Sequence, residues 1–553
     1  MNTGTGARAG SGVLLLLVAV PLVWSLYIAV MAGASSTAWL ALADEPQTWR
    51  GLGLSLCSGI ASTLLSFALC KHLLGWAFMA PSHRWAQLLR ALPPMLAVPH
   101  AAFAIGLVAL LTPGGWLLRA FSPWATGLEA PPDWPTTQDP WGLGLTAVLV
   151  FKETPFLLWV AAMQLQQSDR SQRLRKEIAL AMTMGYSAGT AWQRVAWPQI
   201  CTHLQWPLLA VLAYGLSVVD VALLIGPAST PTLALLTWQW LQDADAAINA
   251  QGAAAAWVLL GLIATCAAVL QVGMQPRFWR PGWARGAPQH SSCWRVTGEA
   301  AFAALLPLAY GAVLLAYAAV LLALAAGSVV GVWPFPDLLP TSWTMAAWQS
   351  VWDSRNVLTT TCLLAAGSAG AAVVWSVAWM EWAPLLWQRR AMQLVYLPLA
   401  LPSVLWTLGL HRMTISWHVD ATLAGLWLVH SLLCVSYVLL AIEPPYSRFN
   451  PRMQAAAASL GRSRMAFLWR VKWPLLKAPL GAGFAVGFAV SAAQYLPTLY
   501  VGAGRFATVS TEAVNLAAGG QRSLASAFAW LQWLLPLLVF TLAGWMGRPG
   551  RLR

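Results

Sequence analysis

Long apolar runs, separated by short polar gaps, extend along the whole chain. Each run has about 20 residues, the length that a helix needs to cross the hydrocarbon core of a membrane. We therefore predict an all-α polytopic membrane protein with about twelve transmembrane helices, six in each half. The predicted spans are 11–32, 50–70, 91–112, 143–165, 202–226 and 252–274, then 301–326, 357–380, 391–410, 421–442, 478–501 and 525–546.

One polar gap in each half carries the same pattern of residues. We call residues 177–198, EIALAMTMGYSAGTAWQRVAWP, the first bend segment, and residues 453–474, MQAAAASLGRSRMAFLWRVKWP, the second bend segment. Gly185 suits the left-handed turn after a helix, Ser187 can cap a following helix, and Pro198 is predicted to end it. Each segment therefore predicts a helix, a sharp bend and a short helix. The same residue types recur 276 residues later at Gly461, Ser463 and Pro474.

A second match supports a duplication of the whole transmembrane unit. Pro99 and Gly106 in span three correspond to Pro402 and Gly409 in span nine. Because each half has an even number of predicted spans, the two halves have the same orientation, as in a parallel repeat. The prolines predict a bend in each of these two spans. The predicted domains are a first transmembrane domain, a linker and a second transmembrane domain, at 1–275, 276–300 and 301–553.

The composition excludes a soluble protein. The chain is 59% hydrophobic and only 9% charged, which is too little charge for a solvated surface. Its net charge of +14 arises from Lys and Arg that collect on alternate loops, so we assign these cations to membrane topology rather than to nucleic acid. This distribution predicts that both termini and both bend segments are cytoplasmic. The first apolar run is interpreted as a retained span rather than a signal peptide.

The chain offers little chemistry of its own. It has seven cysteines but no Cys-x-x-Cys pair, so we predict neither a disulfide framework nor a metal site. The phosphate-binding pattern G-x-x-x-x-G-K-[ST] does not occur in the sequence. We therefore predict no catalytic residues and no cofactor, and a membrane-embedded enzyme acting on lipid or glycan is a weak alternative because the 18 acidic residues are scattered.

The bend segments instead suggest a docking function. Each one combines an apolar face with a neighbouring arginine, a pattern that suits a helix docking into a groove of a partner. Two equivalent helices would match two equivalent grooves of a two-fold dimer. The alternative is an amphipathic helix lying on membrane lipid. The predicted docking residues are Gly185, Ser187, Trp192, Arg194, Val195 and Pro198, and Gly461, Ser463, Phe467, Leu468, Arg470, Val471 and Pro474.

Both bend segments resemble the EAA loop of permease subunits in bacterial ABC importers. The match lies in the spacing from Gly185 to Pro198 and from Gly461 to Pro474, and it occurs in both halves. The chain is therefore similar to a fused, type I permease, such as the ferric-iron and thiamine permeases. Residues 220–234 and 496–520 resemble most an enterobacterial fused permease of the Ynj type.

Two departures from the family pattern are clear. The family's Glu falls on Ala179 and Ala455, and Trp197 and Trp473 precede the proline where the family has Leu. The resemblance implies a bacterial inner-membrane protein that does not itself hydrolyse ATP. It implies a separate ATP-binding cassette ATPase homodimer as one partner and a periplasmic substrate-binding protein as another.

Ionisable or polar residues inside predicted spans are the candidates for the substrate pathway. The sequence leaves open whether they line a pathway or support helix packing, and it does not identify the substrate. A secondary transporter driven by an ion gradient is the main alternative function, because such proteins also have twelve spans in parallel halves. The pathway candidates are Lys152, Glu153, Asp220, Gln494 and Tyr495.

Overall fold

The computed structural model describes residues 3–80, 82–166, 168–275 and 293–547. Their regular structure is helical, apart from an isolated bridge between Val330 and Trp343. The first half contains α1 Thr3–Ala32, α2 Ser36–Asp44, α3 Pro46–Met79, α4 Ser82–Ala97, α5 His100–Leu111, α6 Trp116–Phe121, α7 Leu143–Leu165, α8 Ser168–Thr183, α9 Ala188–Ala191, α10 Trp197–Cys201, α11 Gln205–Ser217, α12 Asp220–Ile225, α13 Leu233–Leu241 and α14 Ala246–Gly273.

The second half repeats this order of long and short helices. It contains α15 Cys293–Gly327, α16 Ala346–Asp353, α17 Arg355–Trp382, α18 Leu385–Val395, α19 Leu397–Ala400, α20 Ser403–Ser416, α21 Leu423–Ser447, α22 Pro451–Ser459, α23 Arg464–Phe467, α24 Trp473–Leu475, α25 Lys477–Ala493, α26 Leu496–Gly502, α27 Val509–Ala518 and α28 Arg522–Gly547. Two π-helical turns, Trp192–Ala196 and Leu468–Lys472, occupy equivalent places in the two bend segments.

The prediction of an all-α polytopic membrane protein is confirmed. Nine helices in the described ranges are long and apolar enough to cross a membrane, and a bent helix pair, residues 464–475 with 477–493, makes a tenth if it counts as one span. This count is lower than the predicted number of about twelve, because the predicted spans three, five, nine and eleven are each divided into shorter helices. Broken helices are tolerated at membrane depth where protein surrounds them or where they line a cavity.

Two of the breaks lie at the matched prolines. α4 ends at Ala97 and α5 begins at His100, with Pro99 in an extended conformation between them. In the second half, α20 begins directly after Pro402, which is also extended. A proline lacks the N–H that a continuous helix needs, so the predicted bends are confirmed as complete breaks.

Two further breaks were not predicted. α11 ends at Ser217, and Val218 is extended with a ψ of 132° before α12 starts. Its counterpart 276 residues later, Gln494, is extended with a ψ of 115° between α25 and α26. The first of these breaks has no proline, so packing rather than local sequence determines it.

The helices pack into two compact units, and each unit takes its first helix from the other half of the sequence. One unit comprises residues 1–34 and 344–553, and the other comprises residues 35–343. In the first unit α1 packs on α20, where a side chain at Gly409 would collide with the backbone of Ser25. In the second unit α15 packs on α5, where a Cβ at Gly106 would lie 2.6 Å from a methyl group of Val320. The matched glycines therefore permit the same close crossing in both units.

This packing does not follow the halves of the sequence. The domains predicted at 1–275 and 301–553 describe the repeat in the sequence and remain a prediction. Most of the predicted linker, 276–300, lies outside the described residues, and α15 begins within it at Cys293.

Candidate functional site

The first bend segment contains a tight left-handed turn between two helices. Gly185 has a φ of +90°, a conformation that glycine adopts without the steric cost of a Cβ. The amide of Tyr186 donates to the carbonyl of Ala181 (3.3 Å), and the amide of Gly185 donates to the carbonyl of Met182 (3.0 Å). These two bonds form the Schellman pattern that ends a helix. Ser187 then accepts the amide of Thr190 and caps α9.

The second bend segment has the same geometry. Gly461 has a φ of +71°, and the amide of Arg462 donates to the carbonyl of Ala457 (3.0 Å). Ser463 accepts the amide of Ala466 and caps α23. The predicted helix, bend and short helix are therefore present in both halves.

A π-helical turn follows each short helix. The amide of Trp197 donates to the carbonyl of Trp192, five residues earlier, and the amide of Trp473 donates to the carbonyl of Leu468 in the same way. The prediction that Pro198 and its counterpart end the helix is wrong, because the helical run continues through α10 and α24. Each proline stands in the first turn of the following short helix, where its missing N–H is tolerated. Such π turns are rare and often occur at functional sites.

Most of the predicted docking face is not available to a partner. The side chain of Trp192 is only 3% exposed, and Phe467 and Leu468 are also buried in their own unit. Val195 and Val471 are half-buried. These residues attach the bend segment to the transmembrane helices because their position on the helix turns them inward. The cations differ, since Arg194 is half-buried whereas Arg470 is exposed.

Several apolar side chains of the bend segments are exposed, among them Leu180 and Trp469, but those at the bend are the ones that match between the halves. Met184 is 70% exposed and its counterpart Leu460 is 78% exposed, and each directly precedes the glycine of the turn. A single exposed apolar side chain is ordinary on a protein surface, so the notable feature is that one occurs at the same loop position in both halves. The sequence repeat could have revealed these two positions, because Met184 and Leu460 are large apolar residues at the same place in both bend segments.

The two arms of the first bend segment are held together by polar contacts. Glu177 on α8 accepts a hydrogen bond from Arg173 (2.8 Å) and one from the Gln199 amide on α10 (2.7 Å). These donors, Arg173 first, hold the pKa of the Glu177 carboxyl below its usual range. Arg170 also donates to the carbonyl of Gln199 (2.9 Å). The carboxylate nearest the position of the missing family Glu therefore stabilises the bend itself.

Lys152 and Glu153 on α7 lie at the break between α4 and α5. The buried ammonium group of Lys152 donates to the carbonyls of Met95 (3.1 Å) and Val98. In a continuous helix the carbonyl of Met95 would accept the amide of residue 99, which is a proline. The carboxylate of Glu153 lies 3.1 Å from Nε2 of His100, the first residue of α5. Lys152 and Glu153 therefore contact both sides of the break, and their role in a substrate pathway or in packing stays a prediction.

The other pathway candidates lie at the breaks between α11 and α12 and between α25 and α26. Asp220 is the first residue of α12, directly after the extended turn, and its side chain is partly exposed. Gln494 occupies the equivalent turn of the second half, where both polar atoms of its amide are buried without a hydrogen-bond partner among the described residues. Tyr495 is buried and donates to Asn515 (3.0 Å). All three thus flank an unwound turn of a broken helix.

A histidine that the sequence did not single out as functional spans the second-half break. The buried ring of His430 forms hydrogen bonds with Ser491 on α25 (2.8 Å) and Thr498 on α26 (3.0 Å). It therefore links the two pieces of the broken span and has no free nitrogen for a ligand. Among the described residues, no group of three His, Cys, Asp or Glu side chains is placed to hold a metal ion.

The chain is similar to one curated protein over nearly its whole length. It is 33% identical over 536 residues to the inner membrane ABC transporter permease protein YnjC of Escherichia coli (strain K12). The alignment covers 95% of this chain and 94% of that relative. No protein-family model matches the chain.

Proposed function

Since this chain belongs to the permease subunits of ABC transporters, we propose that it forms the substrate pathway of an ATP-driven importer. In this proposal the two bend segments couple the pathway to a separate ATP-binding cassette ATPase homodimer. The chain is a multi-pass inner-membrane protein, and we place both termini and both bend segments on the cytoplasmic side. ATP is hydrolysed by the partner and not by this chain.

The matched geometry of the two bend segments carries this proposal. Each has a positive-φ glycine, a capped short helix, a π turn and an exposed apolar side chain, Met184 or Leu460, directly before that glycine. Two identical recesses on a symmetric ATPase dimer would accept these two tips. The cost of ordering each loop is low because its turn is already formed, which favours binding.

The direction of transport rests on the resemblance to importer permeases. An importer of this class receives its substrate from a periplasmic substrate-binding protein, which we propose as the second partner. The unwound turns at Asp220 and Gln494 are the places where we expect substrate to contact the chain, because broken helices form the binding sites of many transporters. A secondary transporter would use such breaks too, but it would have no use for two matched cytoplasmic tips.

The test is co-purification with candidate ATPase subunits from the same cell. The variant carries Met184→Asp and Leu460→Asp, which places a charge on each tip without changing the turn. Two ATPase copies should co-purify with the wild-type chain, and the variant should retain less than about a tenth of them if each tip contributes about 1 kcal/mol or more.

The control is Leu338→Asp, which changes an exposed apolar side chain in the loop between α15 and α16. This variant should bind the ATPase as the wild type does. Equal ATPase binding by the wild type and the double variant would refute the assignment of the tips, and binding by none of them would refute the coupling to an ATPase.

A further inference from the structure

Each bend segment is attached to a long helix at an equivalent position. α3 and α17 correspond to each other, because Ser55 on α3 and Thr361 on α17 each accept the first amide of the helix after the second break, α13 or α27 (2.9 Å in both). The offset between these two residues is 306. The same offset relates Gly75 to Glu381, and both are followed by Trp and Ala.

In the first half the attachment is formed by an uncharged side chain, Trp192. The indole of Trp192 lies against Gly75, where an added Cβ would be only 2.5 Å from the indole nitrogen. The same nitrogen donates to the carbonyl of Lys71 one turn earlier (3.0 Å). The first bend segment is therefore attached to α3 because residue 75 has no side chain.

In the second half the attachment is ionic. The carboxylate of Glu381, whose side chain is 6% exposed, pairs with the ammonium group of Lys472 and with the guanidinium of Arg464 (3.2 Å). It also accepts the hydroxyl of Tyr446, which lies near the end of α21 and accepts the indole N–H of Trp473 (3.1 Å). A single buried carboxylate thus contacts both ends of the second bend segment's short helical run.

The residues that contact Gly75 in the first half differ from those that contact Glu381 in the second half, and the differences fit each other. Where the first half has Gly75 and Trp192, the second half has Glu381 and Leu468. The two cations of the second half replace small residues, since Arg464 corresponds to Ala188 and Lys472 to Ala196. Without these two cations, Glu381 would be a buried charge with no ionic partner, which is strongly destabilising. The three charged residues therefore depend on one another.

We propose that Glu381 is the positioning residue of the second bend segment and transmits its movement to α17 and α21. The proposal rests on the coupling function proposed above and adds that the two halves transmit movement by different contacts. In the first half the indole seated on Gly75 moves α3. In the second half the ion pairs of Glu381 move α17, and Tyr446 connects the same carboxylate to α21.

The first experiment measures backbone hydrogen exchange of the purified chain alone. Glu381→Gln keeps the shape of the side chain but removes the charge that pairs with Lys472 and Arg464. We expect exchange of residues 462–473 to accelerate at least about tenfold, which corresponds to 1.4 kcal/mol. Residues 186–197 should not change and provide the control within the same molecule. Glu381→Asp should restore part of the protection, since it retains the charge.

The second experiment repeats the measurement in the complex with the ATPase, with and without a non-hydrolysable ATP analogue. In the wild type the analogue should change exchange in residues 462–473 and also at the end of α17, residues 373–382. In Glu381→Gln the analogue should still change hydrogen exchange in residues 462–473 but should no longer change it in residues 373–382. A response of residues 373–382 that is equal in both proteins would overturn the proposal.

The two arms separate this proposal from the coupling function. If the wild type binds no ATPase, the coupling function fails, and the role of Glu381 in transmission fails with it. If the wild type binds the ATPase and responds to the analogue, but Glu381→Gln exchanges and responds as the wild type does, only the role of Glu381 is refuted. If Glu381→Gln does not fold, Lys472→Met tests the same ion pair from the bend segment.

Discussion

Replacing Lys152 with methionine separates the two interpretations of this buried cation. The side chain lies in α7, and its ammonium group reaches two carbonyls at the break before α5. If it stabilises the break, Lys152→Met should lower the stability of the fold. If it serves only as a contact for substrate, the same change should leave stability unchanged and affect transport alone.

The magnitude follows from the carbonyls that lose their donor. After the substitution Val98 loses its bond to the ammonium group, and Met95 keeps only a long bond of 3.4 Å from the amide of Val98. A buried acceptor left without a partner costs about 1–3 kcal/mol. Part of this cost is offset because methionine does not need to be desolvated as an ammonium group does. We expect a net loss of about 1–2 kcal/mol in the free energy of unfolding.

The assay is thermal unfolding of the purified protein in detergent. A loss of this size should lower the melting temperature by about 1–2 °C, because a chain of 553 residues has an unfolding entropy of about 1.2 kcal/mol/K. The control is Lys176→Met, which removes an exposed cation of the same type from α8 and should change the melting temperature by less than about 0.5 °C. A Lys152→Met protein that melts with the wild type would refute the stabilising role.

Two further predictions concern the close helix crossing and the first bend segment. Gly409→Ala should lower the melting temperature by the equivalent of about 1–3 kcal/mol, because its methyl group would collide with the backbone of Ser25, whereas Gly311→Ala, which faces open space, should have no such effect. Glu177→Gln should weaken the first bend segment at neutral pH, where the hydrogen-bonded carboxylate of the wild type is ionised. Because the folded-state pKa of Glu177 is lowered, its contribution is present above the ordinary pKa of 4.5 and is lost as the pH falls through the lowered value. The difference in hydrogen exchange of residues 178–199 between the two proteins should therefore disappear in acid, and a difference that persists there would contradict the assignment.

The sequence predicted the parts of the fold that depend on local chemistry. Gly185 and its counterpart end a helix because a left-handed turn requires glycine, and the breaks at Pro99 and Pro402 follow from the missing N–H of proline. The residue types alone were sufficient for these features. The same is true of the apolar runs that identify a membrane protein.

The parts that depend on packing were not predictable in the same way. The break at Val218 has no proline or glycine within it, so no local signal distinguishes it from a continuous span. Trp192 has the composition of a docking residue but is buried, because Gly75 provides a seat 117 positions earlier in the chain. The role of Glu381 cannot be recognised from the sequence, because its partners Lys472 and Arg464 lie far away in the chain and are brought beside it only by the fold.

The proposed coupling requires that this chain works with a separate ATPase dimer. The most direct measurement is the mass of the intact complex, purified through a tag on this chain from the membrane of its own cell. We expect one chain bound to two identical ATPase subunits and a complex that hydrolyses ATP. A chain that is purified intact and monodisperse, carries no ATPase and accumulates solute in vesicles on an ion gradient alone would contradict it.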